Sequence, residues 1–283
     1  MNRLSTEKRV AVISALVGGG SVRSTSRLTG VAKGTILRLL ADVGDVSARY
    51  LDATVGNVAA RRVQIDEIWS FVGCKEKNVT PEIAAKNTNA GDGWTFVAID
   101  ADSKLVLSWL VGTRDAGCAT EFLQDVSGRL SNRIQLTTDG HRMYLSAVED
   151  AFGANIDYAM LQKLYGSDPQ GEKRYSPAVC IGCESKTING SPDPKHVSTS
   201  YIERQNLTMR MNMRRFTRLK NAFSKKLDNH MHSVALFYMH YNFVRIHQSL
   251  RVRPAQEAGL TSRIWSIQDI VNLLNGTTAT VAA

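Results

Sequence analysis

Residues 61–73 read RRVQIDEIWSFVG. Val63, Ile65, Ile68, Trp69, Phe71 and Val72 make this a β-strand by their β-branched and aromatic content. Asp66 sits mid-strand, where acids are disfavoured. Glu67 points to the opposite face, with Val63, Ile65, Trp69 and Phe71, and is either a rival ligand or a paired buried acid. Further strands are expected in WTFVAIDADS (94–103) and KLVLSWLVG (104–112), joined by a tight turn near Asp102. AGCATEFLQDVSGRL (116–130) reads as a helix. RIQLTTDG (133–140) reads as a short strand ending at Gly140, RMYLSAVEDAFG (142–153) as a helix and NIDYAMLQKL (155–164) as extended. Three strands, a helix, a strand, a helix and a strand give an α/β layout with a mixed sheet flanked by helices.

Residues 166–199 interrupt this rhythm with Gly, Pro, Ser and Asp, which predicts an insertion with little regular structure. A helix follows from about Ser200, another from about Asp228 to His247, and a turn with a short helix in LRVRPAQEAGL (250–260). Upstream, residues 1–45 read as three short helices. Ser5 can cap the first, GGG (18–20) stops it, and Gly30 suits the tight turn before the third. This is the pattern of a helix-turn-helix, in which Lys33, Thr35 and Arg38 face a DNA groove and Arg23 and Arg27 lie nearer the phosphates. A plain three-helix packing module is the competing reading. The expected division is thus 1–45 for this module, 46–60 for a linker, 61–260 for the α/β domain and 261–283 for a C-terminal helix and frayed tail.

The chain has 283 residues, a formal net charge of +9 and a pI near 9.5. Such a balance favours a polyanion, most simply nucleic acid. No run of about 18 apolar residues exists and MNRLSTEKRV is no signal peptide, so a cytoplasmic, nucleoid-associated location is expected, with no membrane partner. The densest basic run is Arg204, Arg210, Arg214, Arg215, Arg218, Lys220, Lys225 and Lys226, with no acid between. Phosphate contact is the better reading of a run that lacks acids to pair with. On a helix, Asn206 and Arg210 share a face with Glu203. Cys180 and Cys183 form a lone CxxC without the further ligands zinc wants, and read as two unligated thiols in a loop. His230, His232, His240 and His247 read as structural; His141 and Arg142 could touch DNA.

Three acids stand at telling places: Asp66 mid-strand, Asp139 closing a strand before Gly140, and Glu203 opening a helix in STSYIERQN (198–206). If the two strands lie side by side and the helix crosses their end, the three carboxylates meet. Oxygen-only sites suit Mg²⁺ or Mn²⁺, and two such ions can clamp the attacking and leaving oxygens of a phosphodiester. Each acid has a plainer reading. Ser200 and Glu203 make a capping box, Asp139 suits a turn, and Glu67, Asp100 and Asp102 are rivals.

IDEIWSFVG, TDGHRMY and STSYIERQNLTMRMNMRRFTRLKNAFSKK resemble the transposases of the insertion-sequence-one family, whose core is of the DDE, RNase H-like type. YMHYNFVRIHQSLRVRPAQEAGL (238–260) is similar to the segment after the catalytic helix in many integrases and transposases. The resemblance spans about residues 60–260. It implies an RNase H-like sheet, a triad of Asp66, Asp139 and Glu203, two Mg²⁺ or Mn²⁺ ions, cleavage at element ends and attack of the freed 3′-hydroxyl on target DNA. It also implies a helix-turn-helix that reads terminal inverted repeats, and a homo-oligomer on DNA. The spacing from Asp139 to Glu203 is wider than is usual in the family; the insertion accounts for it, and Glu172 and Glu184 within it are alternative third acids. Two other functions remain open: a catalytically inactive DNA-binding protein, and an RNase H-like nuclease without end specificity.

Overall fold

The computed structural model describes residues 4–166, 180–217 and 221–276. Arg218, Lys220, Glu172 and the tail after Gly276 lie outside the described residues.

Three helices come first: α1 (Thr6–Val17), α2 (Val22–Thr29) and α3 (Lys33–Thr54). Ser5 accepts from Lys8 N at 3.4 Å and Ser21 from Ser24 N at 3.0 Å, so serine hydroxyls satisfy orphan amides at both helix starts. Gly30 ends α2 in the left-handed conformation (φ 69°), as a tight turn requires.

The α/β part follows in the order β1 (Arg62–Val72), α4 (Pro81–Lys86), β2 (Gly91–Asp100), β3 (Val106–Gly112), α5 (Ala116–Gly128), β4 (Ile134–Asp139), α6 (Met143–Phe152), β5 (Ile156–Tyr165) and β6 (Cys180–Asn189). Then come α7 (Ser200–Asn212), α8 (Leu227–Met239), α9 (Pro254–Glu257) and α10 (Ile267–Asn272). The sheet order is β3-β2-β1-β4-β5-β6. β1, β2 and β3 pair antiparallel, β4 and β5 run parallel to β1, and β6 returns antiparallel to β5. This is an α/β fold, a six-stranded mixed sheet flanked by helices.

Alternation along β1 sends two sets of side chains to two helical layers. Gln64, Asp66 and Ser70 meet α7 and α8: Gln64 accepts from α7 backbone amides, Asp66 from Asn206, and Ser70 pairs with His230. Glu67 faces the other layer, where Tyr144 of α6 donates to it. At the edge strand β3, the Asn242 amide binds both Val106 N (3.0 Å) and Val106 O (2.9 Å), imitating a neighbouring strand.

The N-terminal helices share one core with the sheet domain. α3 crosses α8 so closely that a Cβ on Gly44 would stand 2.4 Å from His232 Cβ and 2.6 Å from its carbonyl oxygen. The turn after α1 is held from the other side, where Arg214 Nε donates to Gly19 O at 3.0 Å.

Several expectations are corrected. Residues 46–54, expected in a linker, are the C-terminal part of α3, because Ser47 and Leu51 pack inward along its apolar stripe. The insertion 166–199 is not irregular throughout: residues 180–189 add β6 to the sheet edge. Its side chains are mostly exposed, so it carries no apolar alternation. Residues 75–93, KEKNVTPEIAAKNTNAGDG, read as polar and turn-rich, yet 81–86 form a helix capped by Thr80.

Candidate active site

β1 and β4 pair in parallel from Arg62 with Gln135 to Gln64 with Thr137. The same offset carries Asp66 to Asp139, just past the last pair, where the strands part. α7 crosses this point. Its start is fixed by Gln64, whose Oε1 accepts from Tyr201 N (2.9 Å) and Ile202 N (3.1 Å). One turn on, Asn206 Nδ2 donates to Asp66 Oδ2 at 2.9 Å. Two side chains on one face of β1 therefore set the depth and direction of the helix.

A cavity of about 490 Å³ opens where these elements meet. Asp66, Asp139, Gly140, His141, Gln162, Lys163, Thr199 and Glu203 are among its walls. The three acids singled out in the sequence thus line one space. They are not equally close. Carboxylate oxygens of Asp66, Glu67 and Asp139 lie within 4.8 Å of one another, whereas Glu203 is engaged by Lys163 and by the Thr199 hydroxyl.

The capping-box reading of Glu203 is corrected. α7 begins after Thr199, whose side chain caps no amide; Ser198 Oγ accepts from Ser200 N at 3.1 Å, and Gln64 of β1 takes the Tyr201 and Ile202 amides. The Glu203 carboxylate faces the cavity. Replacing Gln64 with Ala removes the one oxygen that accepts from both the Tyr201 and Ile202 amides, which should cost about 1–2 kcal/mol. Urea unfolding measures this directly, and an unchanged midpoint would contradict the anchoring role.

Glu67 is the buried paired acid. Its side chain is 1% exposed, it accepts from the Tyr144 hydroxyl, and Arg114 donates to its Oε2 at 3.1 Å. Arg114 also lies 3.7 Å from Asp139 Oδ2 and sits over the Trp94 ring at 4.6 Å. Neither Arg114 nor Lys163 was singled out in the sequence, since their partners lie 47 and 40 residues away. Asp100 binds the Ser103 hydroxyl in the β2–β3 turn, and Asp102 pairs with Arg62, so both rivals are spent on structure. Glu184 lies on β6, opposite Gln162.

The crowding has an electrostatic signature. Burial, then the nearby charges of Glu67 and Asp139, push Asp66 up to about 7 from an ordinary 3.8. Its folded value exceeds its unfolded one, so between about pH 4 and 7 the folded state holds a proton that the unfolded chain has lost. Stability therefore falls as pH rises through that window. Without divalent ions, the difference in thermal midpoint between Asp66→Asn and wild type should grow from about pH 5 to about pH 7.5, in favour of the variant. A difference that is constant with pH would rule out this charge conflict.

The basic residues fall into two groups. Arg23, Arg27, Lys33 and Arg38 are exposed on α2 and α3, with Thr35 partly so. Arg204 is exposed on α7 and Arg210 is partly buried there. Arg214 is exposed but its Nε is committed to Gly19. Arg215 departs from the expected phosphate contact. It donates to Ser224 Oγ at 2.8 Å, and burial lowers it to about 10, so it helps close the layer under β1. His230 lies between Ser224 and Ser70, and burial, then Arg215, pushes it down to about 3. Burial likewise takes His240 to about 4, so both are neutral core groups. Cys180 and Cys183 are exposed free thiols on β6. No helix among the described residues is long and apolar enough to cross a membrane.

No protein-family model matches the chain. No curated protein matches it. Among solved structures it is similar to a chain of the simian T-cell lymphotropic virus intasome, with a TM-score of 0.39 and 15% identity over 91% of this chain and 76% of that one. The piggyBac transposase synaptic complex with hairpin DNA gives 0.37 and 10% identity, over 98% of this chain and 70% of that one. The Mos1 strand transfer complex gives 0.25 and 14% identity, over 56% of this chain; the chain spans 58% of that one. At such scores the superpositions carry no functional weight, which rests on the cavity and its residues.

Proposed function

We propose that the cavity binds divalent cations and that the chain is a DDE-type transposase. In this reading it cleaves DNA at the inverted repeats of its element and joins the freed 3′-hydroxyl to target DNA. One observation carries the reading: Asp66, Asp139 and Glu203, from three separate elements, line a single cavity beside α7, which also carries Arg204 and Arg210. Acid residues at this density fit a hard cation, and the upward push on Asp66 is the strain such a cation would relieve. When bound, two Mg²⁺ or Mn²⁺ ions would lower the pKa of an attacking water or hydroxyl and take up charge on the departing oxygen.

The protein's own part is positional. Asp66, Asp139 and Glu203 would hold the ions. Asn206 orients Asp66, the backbone amide of His141 orients Asp139 at 3.0 Å, and Thr199 orients Glu203. Arg204 and Arg210 would bind phosphates beside the cavity. Arg23, Arg27, Lys33, Thr35 and Arg38 would read the inverted repeat, as a homo-oligomer on paired ends in the nucleoid. The molecule supports a link between the two: the turn joining α1 to α2 is tied by Arg214 to the end of α7.

The test uses the full chain, the inverted repeats that flank its gene, and Mg²⁺. Cutting at the repeat's 3′ end and joining to a plasmid, both lost in chelator, are expected. Equal cutting of a scrambled duplex would favour a nuclease without end specificity. Tight repeat binding without cutting would favour an inactive DNA-binding protein.

A further inference from the structure

We infer that Lys163 is an exchangeable stand-in cation: it neutralises Glu203 while no metal is bound, and moves to a phosphate oxygen of bound DNA once a metal takes that carboxylate. The inference rests on the reading of the cavity as a metal-dependent phosphodiester site. Among the described residues Asp139 lies beside Arg114 and Glu203 beside Lys163, and these two bases differ in kind. Arg114, beside Asp139, is clamped by Glu67 and stacked on Trp94. Its planar guanidinium is fixed by both contacts. Lys163 reaches Glu203 from β5 on a flexible four-carbon stem, and its side chain is 28% exposed against 41% for Glu203.

An ion pair this open to water is weak and readily exchanged. Lys163 occupies Glu203 Oε1, the same oxygen that takes the Thr199 hydroxyl. An ammonium and a divalent ion on one carboxylate repel each other, so occupancy by one disfavours the other. The displaced ammonium remains on the wall of the cavity that Gln162, His141, Asp66 and Asp139 also line, within reach of a phosphate bound there. Lysine suits this because it binds phosphate as a point charge with no fixed approach. The exchange would couple metal loading to substrate capture.

The exchange makes opposite demands on two binding measurements, which a purely structural lysine would not. Mn²⁺ binding to the full chain without DNA is read by electron paramagnetic resonance. Lys163→Met should bind Mn²⁺ about 2- to 5-fold more tightly than wild type, because a competitor is removed. Glu203→Gln should bind more weakly, and adding Lys163→Met to it should change nothing further. Binding to a repeat duplex is then compared in Ca²⁺ and in chelator. Lys163→Met should lose affinity and about one unit of salt slope only in Ca²⁺. Lys163→Gln, which keeps a polar side chain on β5, should behave alike. Unchanged or weaker Mn²⁺ binding by both lysine variants would overturn the exchange, as would an equal DNA loss with and without Ca²⁺. If Asp66→Asn and Glu203→Gln also bind Mn²⁺ like wild type, the metal site itself fails, and the exchange with it.

Discussion

Asp139→Asn is expected to fold, to bind the repeat duplex as wild type does, and to lose at least about 10³-fold in cleavage and strand transfer. The substitution is nearly isosteric, and an Asn oxygen can still accept from the His141 amide, so the β4–α6 turn is kept. What it removes is one negative charge and one ligand oxygen from a cavity that holds only a few. Removing that charge loses the 3.7 Å contact with Arg114 but also relieves Asp66, which Asp139 pushes up, so the two effects on folding oppose each other. Cleavage assays on the repeat duplex with circular dichroism and DNA affinity as controls measure the effect. Activity within tenfold of wild type would remove Asp139 from the machinery.

Gly44→Ala should be strongly destabilising although it lies away from the cavity, at about 3 kcal/mol or more. The added methyl meets His232 Cβ at 2.4 Å, its carbonyl oxygen at 2.6 Å and its Cα at 2.7 Å, and two of these are backbone atoms. No rotamer change clears them, so α3 and α8 must separate. Alanine's better helix propensity, about 1 kcal/mol, does not offset this. Gly34→Ala on the same helix is the matched control, because its Cβ would meet nothing within 4 Å. It should be neutral or slightly stabilising. The pair is read by thermal unfolding, and equal midpoints would show that α3 does not depend on its approach to α8. Because α8 carries His230 beneath Ser70 of β1, loosening it should also loosen the sheet face that holds Asp66.

The α/β class and most of the succession of strands and helices along the chain were legible in the sequence, because β1, β2 and β4 carry dense β-branched or aromatic runs. The acids were legible for a related reason: an aspartate inside an apolar strand is conspicuous. β6 was not, since an exposed edge strand pairs by backbone and needs no apolar alternation. Residues 46–54 read as a linker because their packing partner, α8, lies some 180 residues on in the chain. The Glu203 motif shows the limit most clearly. Ser200 and Glu203 have the right spacing for a capping box, yet Gln64 supplies the cap from β1 and frees Glu203 for the cavity. Local spacing offered one solution; the tertiary neighbour supplied another. Arg114 and Lys163 were invisible for the same reason, since only the fold brings them to their acids.

The claim that Asp66, Asp139 and Glu203 hold the metal at the reacting phosphate can be tested at a single atom. A repeat duplex is made with sulfur replacing one non-bridging oxygen of the scissile phosphate, as separated stereoisomers. Sulfur is a poor ligand for Mg²⁺ and an acceptable one for Mn²⁺. One isomer should be cut at least about 10²-fold more slowly than the oxygen duplex in Mg²⁺, with most of the rate restored in Mn²⁺. Cleavage of both isomers at the oxygen rate in Mg²⁺, or cleavage that persists in chelator, would contradict the account.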